Sequence, residues 1–281
     1  MNSNAVNFLK SCQFPGVLPQ IYEASLKEVG SPNTPLAKIS KVLSTDPVIT
    51  ARVLQHANTS IKRGKTAIGD ISQAMTVLGL GQIRLILNEL TTQSSTPDGL
   101  DDLINLRDFW IHSIAVATAS EIIDRSLGGN SDEIYAAGLL HDFGRLIMLL
   151  NTDKVDIVTL AANCIPSKEL LYKHERKNLG FNHMELTEAL FTQWNMAAAI
   201  FEAATFHHSP KLAIRCRYET SVVHIASIIC HSMQLGNSGT PFVPVLDTAA
   251  LRFLDLNLDS LDYICEETSH QVEDRLNLYS I

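Results

Sequence analysis

Paired thiols, long apolar runs and an excess of basic charge are all missing from this sequence, and each absence removes a class of function. The five cysteines (Cys12, Cys164, Cys216, Cys230 and Cys265) are scattered, odd in number and never spaced as C-x-x-C. That pattern excludes a disulfide frame and a thiolate zinc site and fits a reducing compartment, so a cytoplasmic location is expected. No apolar run reaches the length of a bilayer span, and the opening MNSNAVNFLK is no signal peptide, so no membrane is expected as a partner. Lys and Arg total 22 against 30 Asp and Glu, a formal net charge of -8. An acidic chain without a basic stripe is poorly suited to nucleic acid or anionic lipid. Internal repeats and low-complexity tracts are also absent.

What remains is a globular composition with helical punctuation. Apolar residues make up 46% of 281, enough for one large domain or two ordinary ones. Thr34-Pro35 and Asp46-Pro47 are cap-then-proline helix starts, and Asp70 caps a helix that Gly79 ends. Residues 91–102, polar with Pro and Gly close together, read as a boundary. Longer helical patterns follow over Leu106–Leu127 and, capped by Ser131, over Tyr135–Leu150 as one continuous helix. Asn182 with Glu185 forms a capping box ahead of Met184–Trp194, and Ser209-Pro210 stops the helix of Ala197–His208. Tyr218–Met233 and the tail from Thr248 to Tyr279 are helical, with a loop holding one extended piece between them. The expectation is an all-α, two-lobed helical protein. Its parts are an N-terminal bundle at 14–90, a linker at 91–104, a second lobe at 105–235 and a helical extension at 236–281.

The chemistry centres on Gly138-Leu139-Leu140-His141-Asp142-Phe143-Gly144-Arg145. Helical periodicity through Ile134, Gly138, His141 and Met148 places His141 on the inward stripe, with Asp142 about 100° around. A carboxylate beside a buried imidazole needs either a metal ion or a hydrogen-bond network to offset its burial. His112, His183, His207 and His208 fall on separate helices, His207 and His208 at a helix end where the macrodipole favours a cation. Imidazole and carboxylate donors without thiolate suit Fe, Mn, Zn or Ni. Arg145, one turn beyond His141, reads as a phosphate contact or as a solvated helix-end cation. Trp110 and Trp194 read as core anchors, His56 as packing in the first lobe, His174 and His231 as surface residues, and His270 as part of the tail.

The order His112, His141-Asp142, His183, His207-His208 resembles the HD superfamily of metal-dependent phosphohydrolases. More narrowly, residues 14 to 235 resemble the HDOD family of bacterial signalling proteins. The resemblance rests on Leu18-Pro19, Asp46-Pro47, Ala57-Asn58, Ile71-Ser72-Gln73-Ala74, Leu78-Gly79, Trp110, the segment from Gly138 to Gly144, and Trp194. It implies an HD-like second lobe with those six residues as metal ligands, and a family of output or scaffold modules rather than enzymes. Active HD enzymes carry a further metal-binding aspartate on a late helix, in an Ala-Asp context; here that place reads Ala226-Ser227, with His224 three residues earlier. The GYP signature of cyclic-dinucleotide phosphodiesterases is missing after His208. Two functions follow. The first is a regulatory protein with a signalling-protein partner, an HD-derived metal site and little or no turnover. The second is a phosphohydrolase for a nucleotide or cyclic dinucleotide, with Asp142 and Arg145 catalytic.

Overall fold

Side-chain caps from Asn or Asp start several of the helices in the computed structural model, which describes residues 1–61, 66–90, 105–167, 169–240 and 242–279. The N-terminal helices are α1 (Ser3–Leu9), α2 (Pro19–Gly30), α3 (Leu36–Leu43), α4 (Pro47–Ser60) and α5 (Ile71–Glu89). Asp46 caps α4 through Val48 and Ile49, and Asp70 caps α5 through Gln73. Helix α5 is broken at Gly79, where the sequence places a stop. Beyond it come α6 (Leu106–Ser126), α7 (Ile134–Leu139), α8 (Phe143–Asn151), α9 (Lys154–Ser167), α10 (Leu171–Leu179), α11 (His183–Gln193) and α12 (Ala198–Phe206). A 3₁₀ turn at Pro210–Leu212 leads into α13 (Arg217–Ser232), α14 (Thr248–Phe253) and α15 (Leu258–Tyr279). The protein is all-α, with no β-strand among the described residues. No described helix is long and apolar enough to cross a membrane. The linker expected at 91–104 lies outside the described residues.

Three local expectations change. The polar start folds as α1, held because Asn2 caps it and also reaches Gly180 O at 2.9 Å. The loop from 236 to 244 carries no extended strand among its described residues. The helix expected over Tyr135–Leu150 is two helices, α7 and α8, separated by Leu140–Asp142. The break has a cause: His141 Nδ1 turns back to Gly138 O at 2.8 Å, and Gly144 N donates across to Thr187 Oγ1 at 3.1 Å. The start also moves, to Glu133, with no side-chain cap, while Ser131 N donates to Asp124 Oδ2 at 3.0 Å.

One continuous apolar core runs from Ile39, Leu54 and Ile86 to Phe109, Leu146 and Val222. Asp46 stitches its two ends together. The carboxylate is fully buried; Oδ1 accepts from Val48 N at 2.7 Å and Ile49 N at 3.0 Å. Oδ2 accepts from Leu18 N at 3.3 Å and from Trp110 Nε1 on α6 at 2.7 Å. Burial pushes this carboxyl up to about 6, against the pull of its four donors. Asp46→Ala is therefore expected to cost about 2–4 kcal/mol, from a lost cap and a stranded buried indole N–H. Trp110→Phe keeps the cap and should cost less. Urea unfolding of the two variants checks the ranking, and a loss below about 1 kcal/mol for Asp46→Ala would show the lobes are not joined here.

Candidate metal centre

Two glycines let the site form. A Cβ on Gly138 would stand 2.8 Å from Ala117 Cα, so only glycine lets α7 lie this close to α6 and bring His141 beside His112. A Cβ on Gly144 would stand 2.3 Å from His183 O, so glycine also sets the start of α8 against the start of α11. The break at Leu140–Asp142 then turns both His141 and Asp142 into the interior, where they are 0% and 2% exposed. His183 opens α11, and His207 and His208 close α12.

All six sequence-derived candidates converge, in two groups. His112, His141 and Asp142 offer donor atoms within 4.8 Å of one another, and so do His183, His207 and His208. Asp142 links the groups. Its Oδ2 lies 3.5 Å from His141 Nε2, and its Oδ1 lies 3.3 Å from His183 Nε2 and 3.5 Å from His207 Nε2.

The second ring nitrogens explain why the first ones point inward bare. His112 Nδ1 faces Leu235 O at 3.2 Å, His141 Nδ1 faces Gly138 O at 2.8 Å, and His207 Nδ1 faces Ala204 O at 3.2 Å. A carbonyl only accepts, so the proton sits on Nδ1 and the Nε2 lone pair is left free. Those three Nε2 atoms, that of His208 and Asp142 Oδ1 are buried without a hydrogen-bond partner. Burial first, and then the neighbouring imidazoles, hold His112 and His208 well below the ordinary imidazole range. Burial does the same for His207, more than Asp142 can offset. Neutral imidazole with a free lone pair is the form that binds a metal. Each buried acceptor without a donor costs about 1–3 kcal/mol, so a cluster of them fits a cation.

Glu175, which the sequence does not single out, stands behind His183. Its Oε2 takes Nδ1 at 2.7 Å and the backbone N at 2.9 Å, orienting the ring so that Nε2 faces Asp142. Its neighbours Lys173, Arg176 and Lys177 make the helix read as solvated, and only the α10–α11 turn brings the carboxylate inside. Arg145 is not a solvated cation: it is 2% exposed. Its guanidinium lies 3.6 Å from Asp142 Oδ2 and 3.7 Å from Glu175 Oε1. Nη1 also donates to Ser238 Oγ at 3.2 Å and to Thr240 Oγ1. Nη2 lies 3.2 and 3.3 Å from the two ring nitrogens of His183. Burial alone would raise the Asp142 carboxyl, but the Arg145 guanidinium beside it outweighs that and holds the group well below the usual carboxylate range.

The remaining histidines divide. His224 uses both nitrogens structurally, Nδ1 on His207 O at 2.6 Å and Nε2 accepting from Asp247 N at 2.9 Å. His174 is buried rather than on the surface, with Nε2 at 2.8 Å from Ser167 Oγ. His231 is only partly exposed, and its Nε2 is buried and bare. A cleft of about 690 Å³, lined by His231, Leu235, Gly236, Asn237, Thr240 and Phe242 among others, lies beside the cluster: its His231 packs on His112 and its Thr240 bonds Arg145.

The family model of the HDOD domain matches residues 16–210. Among solved structures, the MmoQ response regulator from Methylococcus capsulatus strain Bath matches with a TM-score of 0.67 at 20% identity, covering 91% of this chain and 99% of that one. A virulence factor from Campylobacter jejuni matches with a TM-score of 0.65 at 20% identity, covering 98% of each chain. An HDOD domain protein with unknown function from Geobacter sulfurreducens matches with a TM-score of 0.52 at 22% identity, covering 98% of this chain and 93% of that one. No curated protein matches in sequence. At these identities the structural likeness is one of fold.

Proposed function

Because this chain belongs to the HDOD domain family, we propose that it is a signal-transduction protein with an HD-derived divalent-metal site and little or no hydrolytic turnover. One observation carries the metal: three imidazole Nε2 atoms stand 3.3 to 3.5 Å from the Asp142 carboxylate oxygens. On His141 and His207 those Nε2 atoms are lone-pair acceptors facing another acceptor, which repel unless a cation lies among them. In this reading His112, His141 and Asp142 hold one ion, and His183, His207 and His208 share Asp142 toward the other group. The all-N/O donor set suits Fe, Mn, Zn or Ni. When bound, such an ion supplies Lewis acidity toward a phosphoester.

Low turnover is supported by what surrounds the donors. Ser227 stands where a metal-binding carboxylate belongs in active relatives of the superfamily. Arg145 is buried, with Nη1 bonded to Ser238 and Thr240 and 3.6 Å from Asp142 Oδ2, so in this reading it positions Asp142 and does not reach out to a substrate phosphate. Residues 14–90 and 105–235 act as the two lobes of the module, with 236–281 as an extension that roofs the cluster at 238–240. The partner in this reading is another signalling protein, in keeping with the response regulator of similar fold. The alternative, a hydrolase for a nucleotide or cyclic dinucleotide, is favoured by the cleft of about 690 Å³ beside the cluster, lined by His231 and Thr240.

Elemental analysis of protein purified without chelator or nickel column tests the metal. A stoichiometric divalent ion is expected in the wild type and its loss in His141→Ala; a metal-free wild type that also fails to bind added zinc or manganese would sink the reading. Hydrolysis of cyclic dinucleotides and nucleoside phosphates with added manganese or iron is expected near background. Brisk hydrolysis that His141→Ala abolishes would make the protein an enzyme.

A further inference from the structure

We infer that His231 is a ligand of the metal site, taking the place of the carboxylate that Ser227 does not supply; this rests on the metal reading above. Positions 227 and 231 are one turn apart on the same face of α13. Side chains on a helix lean toward its N-terminus, so residue 231 covers the surface over the turn that begins at 227. An aspartate at 227 would fill that space, whereas the short serine leaves it to the imidazole. The serine stays underneath as support, with its backbone O at 2.8 Å and its Oγ at 3.4 Å from His231 Nδ1.

His231 is built like the other donors. Its Nδ1 faces a backbone carbonyl, which fixes the proton there, and its Nε2 is buried without a partner. His112, His141 and His207 show the same arrangement. The ring lies edge-on to His112 with centroids 4.3 Å apart, and His112 lies 5.5 Å from His141. A histidine that merely packs would use both nitrogens, as His224 does three residues before Ser227. His224 is thus tied to the backbone and His231 is the free donor.

The exchange changes the cofactor class. Replacing an anionic oxygen donor by a neutral nitrogen would add His231, whose ring stands beside His112, to the group of His112, His141 and Asp142, with Asp142 its only carboxylate. Nitrogen-rich sets favour zinc, cobalt or nickel over manganese. The cleft through which His231 reaches solvent gives the ion an approach.

Cobalt(II) and zinc titrations of the full chain, read by competition and by the visible cobalt spectrum, test this. His231→Ala is expected to weaken cobalt and zinc by more than about 100-fold, beyond the 10- to 100-fold typical of an outer partner, and to change the cobalt bands. Ser227→Asp combined with His231→Ala is expected to restore tight binding and to move preference toward manganese. Circular dichroism of each variant separates loss of a ligand from loss of the fold, and the double variant gives the answer if His231→Ala alone unfolds. If His231→Ala keeps wild-type affinity and cobalt bands while His112→Ala loses both, His231 is not a ligand and the metal reading stands. If the double variant regains nothing, the replacement of Asp by His231 is overturned. A wild type that binds neither ion overturns the metal reading itself.

Discussion

Taking the metal-free protein from pH 7 to pH 5 is expected to unfold it. His112, His207 and His208 are held well below the ordinary imidazole value, and His231 at about 4, in each case chiefly by burial. The unfolded chain takes protons on these side chains near pH 6.5, so above that value they are neutral in both states and cost nothing. Below it the unfolded state binds more protons, and stability falls as the pH falls. Each of the four imidazoles then weakens the fold as the pH falls, all in the same direction, against a typical total stability of about 5–15 kcal/mol. Asp46 works in the opposite sense. Its carboxyl is raised to about 6 by burial, so acidification returns about 1 kcal/mol. Asp142, held low, keeps its stabilising charge until the pH falls toward the unfolded value near 3.9. Circular dichroism from pH 8 to pH 4 checks the result, with an expected midpoint between about pH 5 and 6 that excess zinc moves downward. A metal-free protein as stable at pH 5 as at pH 7 would mean that the cluster accepts protons without loss.

The all-α fold is legible in the sequence because it rests on local patterns, and the six candidate residues because their order and spacing resemble the HD superfamily. The caps at Asp46, Asp70 and Asn182 and the stop at Gly79 act within a single turn, and His112 and His183 are placed by the helices that carry them. What the sequence does not show depends on distant contacts. The apolar periodicity runs through Leu140–Asp142 in register, so nothing in the pattern marks the break that turns His141 and Asp142 to the same side. Arg145 reads as a helix-end cation until Ser238 and Thr240 fold over it from a segment more than 90 positions away. Glu175 hides in a charged stretch. His231 sits next to Ser232 and Gln234, which read as surface, and only the packing of α13 on α6 brings its ring against His112. Helix α1 is too short to be stable alone and gains its order by docking on α11.

Asp142→Asn is expected to empty both donor groups and to destabilise the protein by about 3–5 kcal/mol, the usual cost of breaking one side of a buried ion pair. Asp142 is the only carboxylate among the six candidates, and it is the atom pair through which the two groups meet. Asparagine keeps the volume but removes the charge. Its amide nitrogen can donate to one bare Nε2, so the histidines lose less than Arg145 does. Arg145 keeps a carboxylate in Glu175 at 3.7 Å, which places the loss toward the lower end of that range. Glu175→Gln is the control: it weakens the orientation of His183 but leaves Asp142 in place, so metal should bind less tightly without disappearing. Metal content and urea unfolding, measured on both variants, read the two effects apart. Loss of metal with unchanged stability would assign Asp142 to the ion alone. Loss of stability with full metal content would make Asp142 the counter-ion of Arg145 and remove it from the donor set.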